Sequence, residues 1–306
     1  MELMQDPVDI RNVHRSYGST PALAGVTLQI RKNSLTGLIG ADGAGKTTLM
    51  RMCATLDNDY RGSVTILGIS ASGDKKSRIR SRIGHMPQRF SLYADLTVKE
   101  NLSFFADIFT LPPDVREKRI HRLLSFARLE RFVNRRAGRL SGGMKQKLAL
   151  CCALVHEPEL LFLDEPTVGV DPLSRQEFWD IIHDLHKSGT TIFVSTPYMD
   201  EAELCEELIL LHRGTILRSG TPEELIQSYP FSVYRLDSQV RISGKHSYPP
   251  GIVHLYTTGG SIRVVARKDL TPQDVRDKMA GIITGSPEIQ HIRAGIEDVF
   301  INELTS

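Results

Sequence analysis

Cysteine is scarce in this chain of 306 residues. There are four, Cys53, Cys151, Cys152 and Cys205, and no two form a C-x-x-C pair. That excludes a disulfide-framed scaffold and a cysteine zinc site, and fits a reducing compartment. Long apolar runs are also missing: the longest candidates, such as Leu148 to Val155, fall far short of the ~20 residues a membrane-crossing helix needs. The opening MELMQDPVDIRN is acidic and lacks a basic region followed by an apolar core, so it is not a secretory signal and residence in the cytosol is expected. Neither sign of charge dominates. With 38 Lys and Arg against 36 Asp and Glu, the net charge of +2 excludes a global polyanion-binding character. The 41% hydrophobic and 24% charged residues describe an ordinary globular composition, with length for one large domain and a smaller one.

Alternating residues from Val8 to Ile30, around a turn at Gly18 and Ser19, predict a small antiparallel sheet. The apolar stretch Leu35 to Ile39 then enters a glycine-rich turn and a helix starting near Lys46. Leu160 to Leu163 and Thr191 to Ser195 are further buried-strand candidates, which implies a mostly parallel sheet with crossover helices. Between these strands lies a helical insertion over about residues 96–155, opened by a capping box at Thr97 and Glu100. Charge is uneven here. Arg116 to Arg139 holds nine Lys or Arg against two Glu, whereas Glu157 to Glu207 holds thirteen Asp or Glu against two Lys or Arg. The basic stretch is expected to be mainly a solvated helix face, with anionic lipid headgroups as the other reading. Further on, ELILLHRGTILRSG predicts a hairpin turning at Arg213 and Gly214, and Thr221, Pro222 and Glu224 a helix start. Beyond Ser228, short strands at Ile252 to Thr257, Ile262 to Ala266 and Glu288 to Ile292, with helices after Thr271 and over Ile296 to Leu304, predict a separate α+β appendage.

Gly40-Ala41-Asp42-Gly43-Ala44-Gly45-Lys46-Thr47-Thr48 fits the phosphate-loop pattern between a strand and a helix. Its glycines let the backbone cradle phosphate oxygens with amides, Lys46 adds a positive charge, and Thr47 offers a hydroxyl to magnesium. LLFLDEP ends an apolar strand in two carboxylates. Neighbouring positions on an extended segment face opposite sides, so Asp164 is assigned to the metal and Glu165 to the attacking water. Leu140-Ser141-Gly142-Gly143 places a second anion-binding turn at a helix start. Two such turns that cannot reach one nucleotide would serve two nucleotides across a dimer.

In this order, the three stretches resemble the nucleotide-binding subunit of ABC transporters, over about residues 8–228. The resemblance implies an α/β fold: a P-loop NTPase core in residues 1–228, with an N-terminal antiparallel subdomain and the helical insertion, followed by a small α+β domain at 229–306 that regulates or stabilises a dimer. It implies that Gln88 in HMPQRF reaches the magnesium ion and the water, that Tyr17 stacks on adenine, and that Gly169-Val170-Asp171 crosses to a partner. ATP and Mg²⁺ are the implied ligands, sandwiched between one phosphate loop and the Ser141 to Gly143 turn of a second nucleotide-binding domain, in a homodimer, heterodimer or tandem chain. The implied site is peripheral on the inner face of the cell membrane, bound to an integral permease, with no nucleic-acid partner. LTGLIGADGAGKTTLMRM, STPYMDEAELC and GIEDVFINEL are most similar to drug- and sodium-efflux exporters, especially the first half of tandem ATPase subunits.

The sequence departs from the family at Pro197, where S-T-H is usual and the histidine contacts the γ-phosphate and the general base. Proline has neither a side-chain donor nor an amide hydrogen. Slow hydrolysis with normal ATP binding is therefore expected. His183 and His186 fall on a helical pattern and are expected on a solvated face. Asp42 stands where many phosphate loops carry Asn, and is expected to point to solvent or the partner; Met144 stands where Gln is common, with little effect expected on ATP affinity. Arg89, Phe90, Leu92 and Tyr93 suit a docking groove for the permease. The alternatives are a soluble ABC ATPase acting on nucleic acid, supported by local basicity, and a regulatory ATP-binding module.

Overall fold

The alternating N-terminal residues form two long antiparallel strands in the computed structural model, β1 (Val8–Tyr17) and β2 (Thr20–Ile30). The structure describes residues 6–89, 92–236, 241–242, 248–258, 261–280, 282–284 and 288–305, so the predicted groove residue Phe90 lies outside them. Two units are distinguished, Met1–Pro222 and Glu223–Ser306.

In the first unit, β4 (Arg61–Ile66) and the short β5 (Ile69–Ser70) extend the antiparallel sheet in the order β2-β1-β4-β5. A second sheet contains β3 (Leu35–Ile39), β6 (Ile83–Met86), β7 (Leu160–Asp164), β8 (Thr191–Thr196), β9 (Glu207–His212) and β10 (Thr215–Gly220), ordered β10-β9-β3-β8-β7-β6. The first five of these run parallel, and β10 pairs antiparallel with β9 through the expected turn, where Arg213 and Gly214 both have positive φ. Every residue of β3, β7 and β8 is buried, which is why these strands appear as mainly apolar runs without alternation. β4 and β6 went unrecognised in the sequence because they are short and glycine-containing. Gly84 in β6 is there for packing: a Cβ would lie 2.6 Å from the Ala153 carbonyl oxygen.

Helix α1 (Lys46–Cys53) joins the two sheets. Its Leu49, Met50, Met52 and Cys53 share one apolar cluster with Val8, Ile10, Ile30 and Val64 of the antiparallel sheet and Leu38, Phe162 and Phe193 of the parallel one. Truncating a fully buried aromatic there, as in Phe162→Ala, removes roughly 3–5 kcal/mol. All four cysteines are buried and free, and burial pushes the Cys53 and Cys151 thiols up to about 12, so they act as core apolar groups.

The insertion follows α2 (Lys76–Arg80) and contains α3 (Val98–Ile108), α4 (Pro113–Phe126) and α5 (Gly142–Leu154). The capping box is present: Thr97 N donates to Glu100 Oε2 at 2.7 Å, and Glu100 N to Thr97 Oγ1 at 3.2 Å. The basic stretch is not uniformly solvated. Arg116 donates to Asp107 at 2.6 Å and Arg119 to Glu157 at 2.6 Å, so the basic and acidic segments meet at Glu157. α6 (Pro172–Lys187) and α7 (Met199–Ala202) complete the helices of this part, and α8 (Pro222–Gln227) opens the second unit. His183 and His186 lie on α6 and only partly face solvent. Their Nε2 atoms lie 3.0 Å from the carbonyl oxygens of Leu204 and Asn33, tying the helix to two neighbouring turns.

In the second unit, β11 (Phe231–Leu236), β13 (Ile252–Thr258), β14 (Ser261–Arg267) and β16 (Ile289–Ile292) form an antiparallel sheet ordered β13-β14-β11-β16, and β12 (Arg241–Ile242) pairs with β15 (Ile283–Thr284). Val275 and Met279 of α9 (Pro272–Met279) pack with Leu236, Val264 and Ile289. α10 (Ile296–Thr305) brings a charge inside. Asp298, 0% exposed, accepts from Arg263 at 2.7 Å, from the Gly295 amide at 2.8 Å and from the Tyr256 hydroxyl. Among the described residues, no helix is long and apolar enough to cross a membrane.

Candidate functional site

β3 delivers the chain into the loop from Gly40 to Lys46, and the loop's glycines are required by its close approaches. A Cβ on Gly40 would lie 2.4 Å from the Leu211 carbonyl oxygen, and one on Gly45, at φ +109°, 2.4 Å from that of Ala22. The loop is tied from within by Ala44 N to Ala41 O at 3.1 Å, and to the β9–β10 turn by Gly214 N to Ala44 O at 2.9 Å. The first-turn amides of α1 have no partner within their helix. Lys46, buried, donates to the carbonyls of Gly40 at 2.7 Å and Ala41 at 3.1 Å, and its Nζ lies 3.0 Å from Glu165 Oε1. Asp42 is exposed, as its charge requires.

The paired carboxylates take different partners, but not by the pleat. β7 ends at Asp164, and Glu165 has a φ of +49°, so the chain turns between them and adjacent extended positions do not explain the divergence. Asp164 accepts from the Ser195 hydroxyl at 2.7 Å and is hydrogen-bonded to Thr47. Burial raises its carboxyl above the usual range, against the lowering effect of those two hydroxyls. Glu165 is equally buried. Its Oε2 accepts from Gln88 Nε2 at 2.6 Å, its Oε1 faces Lys46, and its amide donates to Ser195 Oγ at 3.0 Å.

Above these groups opens a cleft of about 380 Å³, with Tyr17, Asp42, Lys46, Thr47, Gln88 and Glu165 in its wall. Tyr17 is 49% exposed, not a core residue; its hydroxyl donates to Asp57 at 3.1 Å and the Arg15 guanidinium lies 4.3 Å from its ring centroid. A cavity of about 450 Å³ between α4 and the end of α6 is larger, but Glu157 already pairs with its arginines. The Ser141 turn does not line the cleft. Ser141 caps α5, accepting from the Met144 amide at 3.3 Å, so position 144 contributes backbone there. Gly143 is constrained by packing: a Cβ would lie 2.4 Å from that of Ser174, on the helix that Asp171 caps through the Ser174 amide at 3.0 Å. That amide bond holds the Asp171 carboxyl below its usual range.

Sequence reasoning assigned no role to Ser195, Thr167, Thr196 or Glu201. Ser195 braces both residues, donating its hydroxyl to the Asp164 carboxylate and accepting from the Glu165 amide. Glu201, 1% exposed, accepts from Thr167 at 2.6 Å and from Thr196 at 2.5 Å, joining the segment after β8 to the turn after Glu165. A polar pair ending the apolar run Thr191 to Ser195 was the available signal. Pro197 lies in this segment, and the polar side chains at the Glu165 carboxylate are Lys46 and Gln88.

Residues 23–168 match the family described as ABC transporter. The chain is 41% identical over 290 residues to the probable multidrug ABC transporter ATP-binding protein of Escherichia coli K12, covering 93% of this chain and 49% of that protein. It is 35% identical over 303 residues to the Nod factor export ATP-binding protein I of Rhizobium meliloti, covering 96% of this chain and 87% of that one. The chain belongs to the ABC transporter family. It spans about half the length of the Escherichia coli relative. Among solved structures, a dimeric bacterial ABC transporter cassette has a TM-score of 0.65 at 29% identity, covering 70% of this chain and 98% of that one. An ATP-binding subunit of an ABC transporter has a TM-score of 0.65 at 30% identity, covering 72% and 92%.

ABC ATP-binding domains are ATPases that dimerise and work with a membrane permease, and this chain carries such a domain, with exporter-like relatives. Such domains bind ATP, typically with Mg²⁺. The residues fit both ligands. The close approaches at Gly40 and Gly45 leave no room for a side chain at those two positions, and the Thr47 hydroxyl, Asp164 carboxylate and Gln88 amide are the hard oxygen donors that magnesium prefers.

Proposed function

We propose that this chain is the ATP-binding subunit of an exporter, coupling ATP binding and hydrolysis at a dimer interface to efflux of small drug-like molecules through a separate permease. The observation that carries this reading is the placement of Lys46 and Gln88 on the two oxygens of one buried carboxylate, at the foot of a phosphate-loop cleft. Phosphates entering the cleft compete for Lys46, drawing it from Glu165. The carboxylate, still oriented by Gln88, then accepts a proton from the attacking water. Thr47, Asp164 and Gln88 hold magnesium, which when bound neutralises charge on the phosphates. Tyr17, at the outer end, offers its ring to the adenine. Ser141, Gly142 and Gly143, with Asp171 beside them, serve the nucleotide of a second ATP-binding domain, which accounts for a signature turn outside the chain's own cleft. Residues 1–228 form the ATPase domain, and residues 229–306 regulate or stabilise the dimer; dimerisation of a chain truncated after residue 228 tests that role.

Pro197 makes this site a slow one. Nothing at that position holds Glu165 or contacts the γ-phosphate, and one missing transition-state contact is worth roughly 10²-fold in rate. Steady-state ATPase and binding of an ATP analogue, measured on the full chain, are expected to show tight binding, slow turnover and a roughly hundredfold gain in Pro197→His. No gain, or turnover typical of active relatives in the unaltered chain, rejects the weakened-site reading. Co-purification with an integral membrane protein is expected for the transporter reading, and salt-sensitive nucleic-acid binding without such a partner contradicts it.

A further inference from the structure

The basic stretch from Arg116 to Arg139 divides in two. On α4, Arg116 and Arg119 are spent on Asp107 and Glu157, and Arg122 lies 3.4 Å from Glu157. Past α4 the pattern ends. Arg131, Arg135, Arg136 and Arg139 are all exposed, and none of them forms an ion pair among the described residues. Arg135, Arg136 and Arg139, with Asn134, line one wide hollow of about 860 Å³ whose lining contains no acidic residue. Arg135 is steadied over the Phe132 ring at 4.9 Å. The nearby Glu100, whose carboxyl Arg136 helps to lower, is already held by Thr97 through its amide and hydroxyl.

The backbone beneath these arginines is pinned. Val98 N donates to Arg135 O at 3.0 Å, Ala137 N to Leu96 O at 2.8 Å, and Gly138 N to Ala94 O at 2.8 Å. The cations are therefore presented from a fixed loop, which lowers the entropy lost when they are engaged. Guanidinium groups match phosphate oxygens in a bidentate fork, and unpaired ones need break no internal pair first.

We propose that this arginine-lined hollow is a contact surface for anionic phospholipid headgroups. The proposal rests on the reading above that the chain works at a membrane. A planar lipid surface meets one face of the protein, whereas a long nucleic acid would also have to approach a chain that is nearly neutral overall and strongly acidic between Glu157 and Glu207. Each basic residue near an anionic leaflet strengthens binding roughly fivefold, and the effect falls within a Debye length.

The experiment is co-sedimentation of the full chain with phosphatidylcholine vesicles and with vesicles containing phosphatidylglycerol. Selective, salt-sensitive binding to the second kind is expected. Arg135→Ala/Arg136→Ala is expected to weaken it about 25-fold, and Arg139→Ala about fivefold. Arg11→Ala, which removes an arginine already paired with Asp9, is expected to change it little. Circular dichroism and ATP-analogue binding of the variants should match the parent, which separates loss of fold from loss of the surface. Equal binding to both vesicle types, unchanged binding by the double variant, stronger arginine-dependent binding to duplex RNA, or binding of inorganic phosphate alone would each overturn the proposal. Failure to bind the ATP analogue would instead count against the nucleotide-site reading and leave the vesicle result standing.

Discussion

Glu165 and Asp298 are both buried carboxylates, one in each unit, yet they are built for different purposes. Asp298 is satisfied by Arg263 and Tyr256 of strands β14 and β13 and by the amide of Gly295 just before its own helix. Two of its partners stand on the sheet and one beside its own helix, and the result is an anchor for α10 on the sheet. Glu165 is held by Lys46 and Gln88, and Lys46 also serves the carbonyls of a loop that opens to a cleft. A carboxylate whose main cation can be drawn away by an incoming anion is poised, not locked. Burial raises the stakes in both cases, since a buried charge without its partner is expensive; what differs is whether the partner has a competing attraction.

The strongest way to break this comparison is Glu165→Gln. Turnover by the full chain is expected to fall roughly 10²–10⁴-fold while ATP-analogue binding survives. If binding and folding collapse together, Glu165 is an anchor like Asp298 and the distinction fails. Asp298→Ala should do the opposite. Leaving Arg263 without its carboxylate is expected to cost the C-terminal unit about 3–5 kcal/mol, read as a lowered denaturation midpoint for probes in that unit. A shift under 1 kcal/mol would show that the buried pair is not an anchor.

A third, partly buried group sharpens the contrast because it has no ionic partner. Burial, aided by the charge of Arg51, pushes His85 in β6 from 6.5 down to about 4, and its Nε2 has no hydrogen-bond partner among the described residues. The unfolded chain therefore binds a proton there that the folded chain refuses. The stability this confers is fully present above pH 6.5 and is lost as pH falls through 4, an effect of about 3 kcal/mol. Urea midpoints should drop over that window, and drop less in His85→Phe; parallel curves for the two proteins would remove His85 as the cause.

Much of the nucleotide site was legible because its chemistry is contiguous. A phosphate loop needs glycines at set intervals, and Gly40, Gly45 and Lys46 are as the spacing promised, with tertiary contacts at Leu211 and Ala22 that only glycine permits. Capping was legible for the same reason: Thr97 and Glu100 interact within one turn, and Thr271 caps its own helix start, where the structure adds Asp274 as its reciprocal partner. The weak strands β4, β6 and β11 were not recognised, since their pairing comes from distant segments and not from local propensity. The divergence of Asp164 and Glu165 was anticipated for the wrong reason, the pleat, when a left-handed residue at the strand end produces it. The carbonyl partners of His183 and His186 were not legible because a helical pattern cannot reveal which turns will pack against it.

The sequence by itself determined the family, the phosphate-binding loop and the missing histidine at Pro197, because each depends on residue identity at short, fixed spacing. Only the tertiary structure decided which arginines are spent and which are free, that Ser195 holds the Asp164 carboxylate and the Glu165 amide together, and that Glu201 reaches Thr167, 34 residues away in the chain, as well as Thr196. Those are matters of charge satisfaction at long range. Whether a polar group is quenched or available depends on partners that the fold, and not the neighbouring residues, brings within hydrogen-bonding distance.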